Sequence, residues 1–124
     1  MKSYVITIMD NPKSVQSAER CISSGNKIGG IEIKMYPAIT PRSADVYNLL
    51  VMYLIPEQYF KEIYSREENC IAAFLSHYSL WKMCAKGTEN FCIFEHDALI
   101  TNNINSQLSF DKVINLGEPS YGKF

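Results

Sequence analysis

Glu95 and Asp97 are the side chains of this chain best suited to chemistry. They stand one residue apart at the end of Phe91-Cys92-Ile93-Phe94, an unbroken apolar run. A short continuous run of this kind fits a strand buried on both faces, as in a parallel sheet. In open α/β sheets, ligands bind beyond the carboxyl ends of the strands. Residues two apart in a strand point to the same side, so a strand over Phe91–Asp97 would bring Glu95 and Asp97 to one point. Two hard oxygen donors there suit Mg²⁺ or Mn²⁺ holding a substrate phosphate. The competing reading is that both are solvated acids where a strand leaves the core, since acid-x-acid is common and surface acids usually do nothing special.

The composition narrows the partners. The chain has 124 residues, 12 of them basic and 13 acidic, for a formal charge of -1. That length predicts a single domain over 1–124, with one real core. No basic surplus argues for nucleic acid or an anionic membrane surface, so a phosphate-bearing substrate needs a local device such as a metal ion or a helix N-terminus. The N-terminus lacks the apolar stretch of a signal peptide and no window reaches transmembrane length. Cys21, Cys70, Cys84 and Cys92 match no zinc spacing; they are predicted to be reduced, mostly buried thiols of a cytoplasmic protein.

The elements that must position the acids read as follows. Tyr4–Met9 is β-branched and apolar, a strand ended by Asp10-Asn11-Pro12. Ser14 can cap a helix to about Ser23, and Ile31–Tyr36 alternates like a strand with one wet face. Strand, helix, strand is a βαβ unit. The loop 37–43 carries Thr40, Arg42 and Ser43, residues able to face a ligand. Ala44–Ile55 is predicted helical, and Pro56 can start another helix bearing Tyr59, Phe60, Ile63 and Tyr64. The longest helical pattern runs Arg66–Ala85, with Ser65 and Glu68 as a capping box. Apolar residues lie all round it, which predicts burial on more than one side, with Trp81 in the core. Phe110–Leu116 reads as a further strand. The fold class is therefore α/β, three layers around a mostly parallel sheet.

Asn69-Cys70-Ile71-Ala72-Ala73-Phe74-Leu75-Ser76-His77-Tyr78-Ser79-Leu80-Trp81 resembles a stretch of the family 25 glycosyltransferases. That family includes bacterial lipooligosaccharide (LPS biosynthesis) galactosyltransferases and the procollagen galactosyltransferases. Its Cys-bearing Ser-His-x-x-x-Trp helix is followed by a strand ending in an acidic motif, often Glu-Asp-Asp. Here Cys70, Ser76, His77 and Trp81 keep a similar order, and Phe94-Glu95-His96-Asp97-Ala98 stands where the acidic motif would be. The first strand, the helix ending in Glu19-Arg20, and Phe110–Gly117 also look like family elements.

The resemblance implies a GT-A-type, Rossmann-like nucleotide-sugar-binding domain, shortened at the C-terminus relative to the family. It implies a metal-dependent hexosyltransferase moving a sugar, galactose foremost, from a UDP-sugar to a glycan or protein hydroxyl. Glu95 and Asp97 would hold Mn²⁺ or Mg²⁺ at the leaving diphosphate. Thr7, Met9, Asp10, Ser76, His77 and His96 would line the donor; no residue is marked as the catalytic base. His96 departs from the pattern: it replaces the middle acid, and neutral imidazole is a poor partner for a hard cation. The alternative is a non-catalytic, truncated glycosyltransferase-like binding or structural module. A half-sheet would leave an edge or apolar face for a second copy or a partner chain to cover.

Overall fold

A computed structural model describes residues 1–61, 65–104 and 108–117. Its elements are β1 (Lys2–Thr7), α1 (Pro12–Ser24), β2 (Ile33–Pro37), α2 (Val46–Met52), α3 (Glu67–Lys86) and β3 (Phe91–Glu95). The strands form one parallel sheet in the order β2-β1-β3. Alternation along the strands divides the side chains between two layers. Val5, Ile33, Met35 and Phe94 pack with Ala18 and Cys21 of α1. On the opposite face Tyr4 meets Tyr36 and Phe91 edge-on or tilted, and the Tyr36 hydroxyl donates to Ser79 Oγ of α3 at 3.1 Å. A small α/β fold with helices on both faces is compatible with a Rossmann-like domain.

Several elements start or stop elsewhere than the sequence predicts. Asn11, not Ser14, caps α1: its Oδ1 accepts from the Lys13 and Ser14 amides at 3.0 and 3.3 Å, and Pro12 takes the first helical position. After Ser24 the chain makes one wide turn over Gly25–Gly29 and stops at Gly30, whose φ of 66° is left-handed. A Cβ at Gly25 would lie 2.5 Å from Ile33 Cδ1, so the end of the Ile33 side chain would have to shift to admit it.

The predicted helix Ala44–Ile55 shrinks to α2, capped by Asp45, whose carboxylate accepts from the Asn48 amide at 3.2 Å. Leu54 then takes a φ of 57° and the Ile55 amide folds back onto Leu50 O at 2.9 Å, which ends the helix. The helix expected from Pro56 is only a short 3₁₀ turn, Glu57–Tyr59; Ile63 and Tyr64 lie outside the described residues. The capping box at Ser65 and Glu68 does not form. Arg66 occupies the cap position, so Ser65 falls one residue too early for the reciprocal bonds.

α3 buries Ile71, Ala72, Leu75, Ser76 and Leu80 along one side. Trp81 is 47% exposed, so it is not core and the helix is not enclosed. The N-terminal half of α3 packs on α2 in a core of its own: Val46, Leu50, Phe60, Ile71, Ala72 and Leu75. The strand expected at Phe110–Leu116 is absent among the described residues; this stretch is irregular and Val113 is 86% exposed. An apolar, β-branched run becomes a strand only where a neighbour offers a ladder. The described cysteines are all unpaired thiols, with Cys21 and Cys92 buried.

Candidate functional site

In the order β2-β1-β3 the chain leaves β1 to one side and returns on the other. The crevice at the carboxyl ends of β1 and β3 is therefore a topological switch point, where open α/β sheets bind ligands. Thr7, Ile8, Met9 and Asp10 form one lip; Glu95, His96 and Asp97 form the other.

β3 does not run through to Asp97 as the spacing predicts. The Ala98 amide turns back to Glu95 O at 3.0 Å, so His96 and Asp97 sit in a tight turn. Glu95 is the last residue to obey strand alternation and points to the α3 face, where its Oε1 lies 3.5 Å from His77 Nε2. This contact becomes an ion pair when the ring is protonated. The hydrogen bond from His77 is the main influence holding the Glu95 carboxyl below the ordinary glutamate range; partial desolvation opposes it, and the imidazole charges of His77 and His96 add to it. His96 goes to the other face, where its Nδ1 is 2.9 Å from Ser14 Oγ in the first turn of α1. Asp97 is exposed beside them.

The remaining candidate residues separate by burial. Thr7 is fully buried and its hydroxyl donates to Val5 O at 3.0 Å. Ser76 is 1% exposed; its Oγ accepts from the Ile39 amide at 2.9 Å and donates to Ala72 O at 2.9 Å. Both hydroxyls support the lips from beneath: Thr7 braces the end of β1, and Ser76 ties the loop after β2 to α3. Met9 and Asp10 are exposed, and Asp10 reaches across to the Arg42 guanidinium at 3.0 Å, joining the loop ends of β1 and β2. Open clefts flank this pair. One, about 470 Å³, runs along Pro41–Tyr47 to Glu68; the other, about 560 Å³, lies against Met9, Asp10 and the first turns of α1.

Sequence reasoning gave Ser14 a cap and missed its place in the crevice. The available signal was position: it lies in the first turn of the helix that follows β1, where this kind of fold presents groups to ligands.

Among the described residues, no three or more acids, histidines and cysteines gather as a metal cage. Glu95 and Asp97 are exposed carboxylates, the hard-oxygen donor type that Mg²⁺ and Mn²⁺ take. Mg²⁺ commonly takes one or two protein carboxylates and completes its shell with water and substrate phosphates. No described helix is long and apolar enough to cross a membrane.

The family model for glycosyltransferase family 25 (LPS biosynthesis protein) matches residues 1–119, nearly the whole chain. No curated protein and no solved structure matches it. The match spans the sheet, α1, α3 and the turn at Glu95-His96-Asp97 together, and on that coverage the chain belongs to glycosyltransferase family 25.

Proposed function

We propose that residues 1–124 act as one GT-A-type domain that transfers a hexose, galactose in our reading, from a UDP-sugar to a hydroxyl of a glycan or protein, in the cytoplasm. The observation that carries this reading is the acidic turn at the switch point, in a chain whose family is one of glycosyltransferases. In the reaction the bond between the sugar C1 and the diphosphate oxygen breaks, the acceptor oxygen bonds to C1, and the acceptor proton leaves to a base. Charge develops on the departing diphosphate, and stabilising it is the main demand on the site.

Glu95 and Asp97 are the residues that would hold Mn²⁺ or Mg²⁺, and the ion would neutralise that diphosphate charge. His77, 3.5 Å from Glu95 Oε1, orients the Glu95 carboxylate at the edge of this space. Met9, Asp10, His77 and His96 border the space for the donor, while Thr7 and Ser76 fix the backbone that shapes it.

Calorimetric titration of UDP into the folded chain, with and without Mn²⁺, tests the proposal. Metal-dependent binding is expected. Absence of binding in both conditions would remove the donor site and leave a non-catalytic module, with a glycan, a second copy or a partner chain as its ligand.

A further inference from the structure

We infer that Ser14 is a positioning residue: it fixes the tautomer of His96, so that the ring offers its Nε2–H as a donor to the diphosphate of a bound nucleotide. The choice of ligand rests on the donor-site reading above; the tautomer does not.

A serine hydroxyl has one proton to give and two lone pairs. The Ile8 amide, where the chain leaves β1, donates to Ser14 Oγ at 2.9 Å and occupies one lone pair. The second contact of that oxygen is His96 Nδ1, also at 2.9 Å. Among the described residues the Ser14 hydroxyl makes no other hydrogen bond. Were Nδ1–H the donor, Oγ would accept twice and its own proton would have nowhere to go. Ser14 is only 3% exposed, so that orphan would be costly. The satisfied arrangement runs from Ile8 N–H to Ser14 Oγ, and from Ser14 O–H to His96 Nδ1. A neutral imidazole that accepts at Nδ1 carries its proton on Nε2.

Nε2 has no hydrogen-bond partner among the described residues, and His96 is half-buried in the turn between two exposed carboxylates. A fixed N–H at this place complements phosphate oxygens. It also adds no negative charge next to Glu95 and Asp97. The chain Ile8–Ser14–His96 links β1, α1 and the turn after β3, the three elements that form the switch point, so the donor is held by the fold rather than by a free side chain.

The test is long-range ¹H–¹⁵N correlation of the imidazoles, with the ring neutral and His96 assigned from a His96→Gln spectrum. The wild type should show Nδ1 bare and Nε2 protonated. Ser14→Ala should release the ring to a mixture, and Ser14→Thr, which keeps a hydroxyl, should restore the single form. Titrating UDP with Mg²⁺ should move the His96 Nε2 resonance, and Ser14→Ala should weaken UDP roughly fivefold to tenfold, the weight of one hydrogen bond. A wild-type His96 protonated on Nδ1 overturns the inference, and that spectrum needs no variant to fold. So does a Ser14→Ala protein with unchanged tautomer and unchanged UDP affinity. A correct tautomer in a folded chain that binds no UDP overturns the ligand through failure of the donor site, while the Ser14–His96 assignment stands.

Discussion

Ser76→Ala separates a residue that builds the site from one that touches a ligand. In α3 the Ser76 hydroxyl is 1% exposed, accepts the Ile39 amide at 2.9 Å and donates to Ala72 O at 2.9 Å. The variant keeps the Ala72 carbonyl in its helix but removes the hydrogen-bond partner of the part-buried Ile39 N–H. An unsatisfied buried donor costs about 1–3 kcal/mol. Against this, alanine is the better helix former by up to ~0.5 kcal/mol. The net expectation is a loss of about 1–2 kcal/mol. With a urea slope of about 1.5 kcal/mol per molar, the unfolding midpoint should fall by about 1 M at unchanged slope. Amides of residues 38–44 should lose hydrogen-exchange protection first, and any loss of UDP affinity should accompany the loss of stability. A midpoint that stays put or rises would refute the assignment of Ser76 as the pin between loop and helix. Weakened UDP binding at full stability would make it a ligand contact instead.

Asp97→Asn is expected to reduce Mn²⁺-dependent UDP binding by about tenfold or more, as loss of a charged ligand to a hard cation implies, with an unaltered circular dichroism spectrum; unchanged binding would remove Asp97 from the site. Burial pushes the Cys92 thiol from 9.0 up to about 11, with the nearby Cys21 adding to it. The folded state thus favours the neutral thiol: this contribution is complete below pH 9.0 and disappears as pH rises to about 11. The stability of wild type relative to Cys92→Val should therefore fall by about 2 kcal/mol across that range in urea titrations, and a flat difference would contradict it. Leu54 is 89% exposed at a φ of 57°, so it strains the backbone and packs on little. Leu54→Gly should raise stability by about 0.5–1 kcal/mol, the relief of a left-handed non-glycine residue less the added freedom of the unfolded chain; a lower melting temperature would count against this.

The parallel βαβ frame and the acidic end of β3 were legible because they rest on local signals: β-branched runs, turn residues and a long helical period. What was not legible depended on tertiary competition. Asn11 and Ser14 are both good caps, and local chemistry does not choose between them. The fold does, because Ser14 Oγ is claimed by the Ile8 amide and His96. Phe110–Leu116 has strand composition but finds no ladder among the described residues. Period-2 reasoning put Glu95 and Asp97 on one side. The Ala98-to-Glu95 turn breaks that alternation and instead sends Glu95 to α3 and His96 to α1. The family pattern points to this turn; which helix each of its side chains meets is decided by tertiary packing.

α3 bridges the α2 cluster and the sheet. Its first half seals the cluster with α2, and its second half lies on the sheet, with Ser76 near the junction. The α2 cluster and the cluster between α1 and the sheet share no residue and need not melt together. The α2 cluster can detach as a unit while β1, α1 and β3 keep their packing, so native-state exchange should resolve two cooperative blocks with different opening energies. The cleft along Pro41–Tyr47 lies on the less anchored block, and the acidic turn on the more anchored one. A ligand at the acidic turn meets a wall that holds its geometry, while one in the Pro41–Tyr47 cleft meets a wall that can yield.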